Sequence, residues 1–226
     1  LADVTIRAII FDRDGVLTFF DIPAAAAYLR QAPPLTPYDL LQQWETHGRE
    51  YGFPTSLADE EAFFRTYWTR LFAAFKIPDA VQPVLLAMHY TDYVRAYPDA
   101  VHALASLHAA GFRLGVLSNF SLASLEESLI AAGLGQWIDA AAAATVIGAA
   151  KPAAAAYHTI LQRLGVAPAE AVFFDDELPC VVGARQVGMH AFLVDRKRTV
   201  ADLSAGVVAN LAEVTAALTW LEVTTG

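Results

Sequence analysis

Residues 6–18 read IRAIIFDRDGVLT, and the way this stretch ends decides the fold. Residues 6–11 form a short β-prone apolar run, as expected for a strand buried on both faces. Asp12 and Asp14 follow at once, and Gly15 behind them permits a tight backbone path. In open α/β sheets, ligands bind just beyond the carboxyl ends of the strands. A buried strand that finishes in carboxylates therefore reads as one edge of a site.

The same pattern recurs further along the chain. Residues 112–117 read as a strand followed by Ser118 and Asn119, and residues 171–174 as one followed by Asp175 and Asp176. Residues 191–194 read as another strand, and residues 141–147 as a further short one. Helices are expected between them: 99–110 behind Pro98 and before Gly111, 121–132 before Gly133, 152–164 from Pro152 to Gly165, and 180–187. A last amphipathic helix carries Leu211, Val214, Leu218 and Leu221. Strands separated by helices imply a parallel sheet with right-handed crossovers. The fold class is α/β: a doubly wound, Rossmann-like parallel sheet.

Between the first two strands the alternation lapses. Ser56 opens a helix with Asp59 three residues on, and Glu60 and Glu61 complement its dipole. Phe63, Phe64, Tyr67, Trp68, Leu71, Phe72 and Phe75 then recur at helical spacing, which reads as a bundle core rather than a ligand box. No strand-like run is expected before Pro98. The segment THGREYG, residues 46–52, is expected as a glycine-flanked turn; from it His47 and Arg49 could reach over the site. The expected division is a core of residues 1–16 and 95–226 with a helical insert at 17–94.

Composition narrows the function classes. Lys and Arg number 15 against 24 Asp and Glu, a net charge of −9, which disfavours nucleic acid or an anionic membrane as partner. Charged residues are 17% and hydrophobic ones 56%, so a large buried core is available and disorder is excluded. Cys180 is the only cysteine, which excludes an internal disulfide and suits a reducing, cytoplasmic setting. No run approaches the roughly 20 apolar residues of a membrane span, and no signal peptide is expected. The chain opens on Leu1, so residues ahead of it are expected.

The residues that end the strands can do specific chemistry. Asp12 as nucleophile would form an acyl intermediate and split one difficult step into two. Asp14 could then protonate the leaving oxygen and later activate water. The alternative for the pair is a capped turn with solvated aspartates; a calcium loop fails, because Leu17 stands where that loop needs glycine. Ser118 and Asn119 could hold phosphoryl oxygens or simply cap a helix. Lys151, just ahead of a helix whose dipole it opposes, could neutralise a transferring phosphoryl group. Asp175 and Asp176 would repel each other unless a cation intervened, and Mg²⁺ suits such carboxylates. Alternation along the strand favours Asp176 as the direct ligand, with Asp175 outside it or variable.

These motifs together resemble the haloacid dehalogenase-like (HAD) hydrolases: FDRDGVLT, LSN, GAAKP and FFDDE occur in the family's order. The long interval between Asp14 and Ser118 leaves room for the family's helical cap. The resemblance implies Asp12 as nucleophile, Asp14 as acid/base, Ser118 on the phosphoryl oxygens and Lys151 as the compensating charge. It implies Mg²⁺ held by Asp176, the Asp12 carboxylate and the main-chain carbonyl of Asp14. Dehalogenases of the family generally lack the second acid, so Asp14 points to a phosphatase acting on a small phosphorylated metabolite. A phosphomutase, a dehalogenase and a non-catalytic phosphate-binding protein are the alternatives, and a monomer or homodimer is expected.

Two positions depart from the family pattern. Cys180 stands where relatives usually carry Asp or Asn, and it reads as a small buried hydrophobe rather than a catalytic thiol. Phe19 and Phe20 replace more polar residues and read as packing at the base of the insert. The remaining histidines add little: His102 and His108 do not share a helix face, and His89, His158 and His190 are isolated.

Overall fold

The computed structural model describes residues 5–32 and 35–225. The first strand, β1 (Ala8–Phe11), is buried at all four positions. The chain turns at Gly15, whose φ of +78° is costly for any residue with a Cβ, and enters β2 (Thr18–Phe20). Four helices follow: α1 (Ile22–Leu29), α2 (Pro37–Tyr51), α3 (Leu57–Phe75) and α4 (Gln82–Leu86). Their starts are written locally. Asp21 accepts the Ala24 N–H, Thr36 and Asp39 close a capping box, and Ser56 accepts the Asp59 N–H. The chain returns through β3 (Val94–Ala96), antiparallel to β2.

Beyond β3, helices and strands alternate. They are α5 (Pro98–Ala109), β4 (Arg113–Ser118), α6 (Leu125–Ala131), β5 (Ala140–Ala143), α7 (Ala144–Ile147) and α8 (Ala154–Leu164). Then come β6 (Ala171–Asp175), α9 (Leu178–Gln186), β7 (His190–Val194), β8 (Val207–Val208) and α10 (Val214–Thr225). Six strands form one parallel sheet in the order β5-β4-β1-β6-β7-β8. The α/β class read from the sequence is this sheet with helices on both faces.

Register explains why the site forms where it does. Phe11 lies opposite Val116 on one side and Phe174 on the other, so β4, β1 and β6 end almost level. The strand order reverses direction at β1, which opens a crevice beyond its carboxyl end. Side-chain alternation divides the core. Ile9, Phe11, Val116 and Phe174 pack with Leu104 and Leu218 on one face; Ala8, Ile10 and Phe173 pack with Ile160 and Val181 on the other. Each fully buried Phe or Ile contributes about 1.5–3 kcal/mol relative to exposure.

The helices α1–α4 build a separate apolar cluster, in which Phe63, Tyr67 and Leu71 of α3 are buried and Trp44, Phe64, Trp68, Phe72 and Phe75 pack around them. The aromatic stripe is thus a bundle core, as its spacing indicates. At the base of this helical unit, Arg196 donates to the carbonyls of Gly15 (2.9 Å) and Val16 (2.6 Å) and pairs with Asp99 (3.0 Å). Its guanidinium also lies over the Tyr97 ring at 3.6 Å.

Several sequence expectations are corrected. Strands do interrupt the insert: β2 and β3 are three-residue strands that pair with each other across the whole helical unit, a non-local pairing that local alternation does not announce. Residues 46–52 are not a turn over the site, because Thr46–Tyr51 belong to α2. Gly48 sits there because its missing side chain makes room for the Phe53 ring. His47 consequently faces the bundle core, while the Arg49 side chain is 79% exposed and pairs with Glu45. The alanine-rich stretch at 141–147 is a strand only to Ala143 and then turns into α7. Helix α6 begins at Leu125 rather than near Ser121, and α8 at Ala154, beyond Pro152. Phe19 and Phe20 lie in β2 against the Tyr97 and Tyr93 rings, the packing role read for them. No helix among the described residues is long and apolar enough to cross a membrane.

Candidate active site

The level ends of β1, β4 and β6 bring together Asp12, Ser118 and Asp175, and the loop before α8 adds Lys151. Lys151 is the hub. Its Nζ lies 2.6 Å from Asp175 Oδ2 and 2.8 Å from Asp12 Oδ1. Both distances are those of charge-assisted hydrogen bonds, so the Lys151 ammonium is shared between the two carboxylates. The other Asp175 oxygen accepts the Glu177 N–H at 2.7 Å. Both Asp175 oxygens are therefore engaged, and this fully buried carboxylate orients Lys151.

Asn119 completes the support of Lys151. Its amide donates to the Lys151 carbonyl (3.0 Å) and accepts the Lys151 N–H (2.7 Å), so it grips the lysine's main chain. Ser118 is buried at the end of β4. The backbone N–H groups of α6 do not flank it, since that helix begins further on; Ser124, just ahead of α6, gives its N–H to Glu60 at 2.9 Å.

The loop after β1 is tight: Leu17 and Thr18 both donate to the Arg13 carbonyl, and Gly15 donates to that of Thr18. A Cβ on Gly15 would strike the Asp176 carboxylate, so glycine is what lets Asp176 come close to this loop. The Asp14 side chain is 54% exposed, with Oδ2 held by Arg13 at 2.6 Å. The structure thus brings Asp12, Lys151, Asp175 and Asp176 together, with Ser118 at the end of neighbouring β4 and Asp14 exposed in the loop after β1. Arg13 and Glu60 are the participants that the sequence reading passed over. Arg13, a basic residue between two acids at the end of a buried strand, was the signal on offer.

Burial dominates the electrostatics of the site. Burial pushes Asp12 up to about 7, against the pull of Lys151, and Asp175 adds to the push. Asp176 is raised as well, first by burial and then by Asp175. Burial works against the Lys151 ammonium, but Asp12 and Asp175 outweigh it and hold its pKa above the ordinary value. Asp12, Asp175 and Asp176 can bring oxygens within 4.8 Å of one another. An all-oxygen donor set with two raised carboxylates suits a hard divalent cation such as Mg²⁺. Asp12 and Asp176 have oxygens to give it, whereas those of Asp175 are engaged. A second group, Asp175, Glu177 and Cys180, suits it less: burial pushes the Cys180 thiol up to about 12, and its Sγ donates to Glu177 at 3.3 Å. A thiol so placed is not a nucleophile.

Comparison with known proteins places the chain in a family. The model of the haloacid dehalogenase-like hydrolase family matches residues 6–188, and the chain belongs to that family: it is a HAD hydrolase. It is 34% identical to the Phosphatase MT3486 of Mycobacterium tuberculosis, over 95% of this chain and 98% of that protein. It is also 28% identical to the (S)-2-haloacid dehalogenase 1 of a Pseudomonas species, over 84% of this chain and 85% of that one. The crystal structure of a HAD phosphatase from Thermococcus onnurineus shares the fold, with a TM-score of 0.60 at 24% identity, covering 94% of this chain and 98% of the other.

Proposed function

We propose that this hydrolase is a Mg²⁺-dependent phosphatase that cleaves the phosphomonoester of a small metabolite through an aspartyl-phosphate on Asp12. One observation carries the reading: the buried Asp12 carboxylate faces the Lys151 ammonium at 2.8 Å, and Asp14, a second acid, stands two residues on. A phosphate ester expels an alkoxide that needs a proton, whereas halide leaves without one. Asp14 therefore favours the phosphatase over the dehalogenase suggested by the relatives of that name.

Asp12 attacks phosphorus and breaks the P–O bond to the leaving group, which takes a proton from Asp14. Asp14 then accepts a proton from the water that hydrolyses the aspartyl-phosphate. Lys151, fixed by Asp175 and Asn119, neutralises charge that develops on the phosphoryl oxygens, and Ser118 holds one of them. Asp12, Asp176 and the Asp14 carbonyl would hold Mg²⁺. When bound, the ion supplies the positive charge that keeps Asp12 ionised and screens it from the phosphoryl oxygens.

The helical unit, residues 17–94, is proposed to act as a cap that shields the site during attack. The core is then residues 1–16 and 95–226. A single, buried cysteine and the acidic balance support a reducing, cytoplasmic setting and a small-molecule substrate rather than nucleic acid or membrane; a monomer or homodimer suits such an enzyme. The test is phosphate release from a panel of phosphate esters, p-nitrophenyl phosphate included, with and without Mg²⁺. Asp12→Asn should abolish release. Chloride release from 2-chloropropionate without phosphatase activity would replace this reading with the dehalogenase.

A further inference from the structure

Arg13 occupies the middle of the Asp-x-Asp motif, yet its side chain is nearly as buried as that of Lys151, at 5% exposed. Burying a guanidinium is costly unless its donors are met. Here each direction is met by a different part of the molecule. Nε and Nη2 converge on one oxygen of Asp14, Oδ2, at 3.1 and 2.6 Å. Nη1 donates to Ser128 Oγ on α6 at 3.0 Å, and the guanidinium plane lies 3.7 Å over the Phe120 ring. Asp14 Oδ1 is left facing Thr18, whose hydroxyl is 3.5 Å away, and solvent.

The supports of Arg13 are in turn held by the helical unit. Glu60 of α3, 7% exposed, accepts the Ser124 N–H at 2.9 Å and the Ser124 hydroxyl at 2.5 Å. Ser124 immediately precedes the turn of α6 that carries Ser128. Tyr90 shares a hydrogen bond of 2.6 Å with the Ser124 hydroxyl and packs its ring on Phe120 at 5.7 Å. From Glu60 and Tyr90 to Asp14 every link is a direct contact, and α6 and Phe120 are the common platform.

We propose that Arg13 is the positioning residue of the acid/base: it fixes the Asp14 carboxylate by Oδ2, presents Oδ1 to the substrate, and takes its own position from the seating of Glu60 on Ser124. This rests on the phosphatase reading above. A planar fork with two N–H groups on one oxygen fixes an orientation that a single ammonium does not. The helical unit would then do more than cover the site, since its docking would also aim the proton carrier.

The test compares the single-turnover rate of leaving-group release from p-nitrophenyl phosphate, whose leaving group departs almost unaided, with that from phenyl phosphate, whose leaving group needs the proton more; it reads the first half-reaction alone. A positioned proton donor contributes about 10²–10⁴-fold. Arg13→Leu should therefore cost at least about 10-fold more on phenyl phosphate than on p-nitrophenyl phosphate, with KM for both little changed. Arg13→Lys, which keeps the buried charge and carries the test if the leucine variant does not fold, should show the same selective loss at smaller size. Glu60→Gln should shift the ratio in the same direction and add nothing in the Arg13→Lys background. An equal loss on both esters, or a change confined to KM, overturns the positioning role. A Glu60→Gln variant with an unchanged ratio, or one fully additive with Arg13→Lys, overturns the link to the helical unit. Turnover that survives Asp12→Asn would instead overturn the phosphatase mechanism itself, so the two failures are distinguishable.

Discussion

The parallel sheet and the helical unit both bury polar atoms, but they meet them differently. At the end of β1, Asp12 Oδ1 has the Lys151 ammonium 2.8 Å away, with Asp175 and Asp176 close by. On α2, Trp44 Nε1 and His47 Nδ1 are buried without a hydrogen bond, among the rings of Phe53, Phe63 and Tyr67. The neighbours decide what a buried polar atom means. An oxygen amid charges prepares chemistry; an unpaired nitrogen amid rings only weakens a core.

The sharpest way to break this comparison is to exchange Asp12 for Asn. The expected outcome is a loss of at least about 10³-fold in phosphate release, with an unfolding midpoint that does not fall, because a raised, buried carboxylate has been removed. An activity loss matched by unfolding would erase the distinction. Next in size is Lys151→Met, which leaves Asp12 and Asp175 facing each other without their cation. Breaking a buried ionic group from one side costs about 3–5 kcal/mol, and losing the charge costs about 10²–10³-fold in kcat; denaturant midpoints and single-turnover rates would report the two separately.

The helical unit should behave in the opposite sense. Burial, and secondarily Arg70, holds the His47 pKa below its ordinary value. The folded state therefore binds a proton less readily than the unfolded one. Stability from this group is complete above the unfolded pKa of about 6.5 and is lost as pH falls below it, by at most about 1.4 kcal/mol per pH unit. His190 in β7, also lowered by burial, adds in the same direction. Urea midpoints at pH 7.5 and 5.5 should differ less in His47→Gln than in the parent, with kcat at neutral pH unchanged. The smallest effect is Ser56→Ala, which removes the cap of α3 and should cost about 1 kcal/mol by thermal unfolding, again without loss of turnover on p-nitrophenyl phosphate.

Legibility in the sequence followed the same divide. The strands β1, β4 and β6 announce themselves because each carries an apolar run, AIIF, LGVL and AVFF, and the residues that end them, Asp12, Ser118 and Asp175, come to one edge of the sheet because the strands end almost level. The helical unit was readable where side-chain spacing is local, as in the stripe from Phe63 to Phe75 and the cap at Ser56. It was not readable where a partner lies far along the chain. Thr18–Phe20 becomes a strand only because Val94–Ala96 returns beside it. Gly48 resembles a turn residue until Phe53 is seen to need its space. Glu60 looked like a charge complementing its own helix, yet its oxygens are bound to Ser124 in another element. Arg13 escaped notice because the motif's two acids carry the evident chemistry, although a basic residue set between them at the end of a buried strand was a signal.

Arg196 ties this divide together mechanically. One flat side chain grips the outgoing backbone at Gly15 and Val16 and lies against Tyr97 on the incoming one. The two crossings between helices and sheet are thereby riveted at a common point. They carry load as one strut rather than as two independent tethers, and a twist imposed on either passes to both.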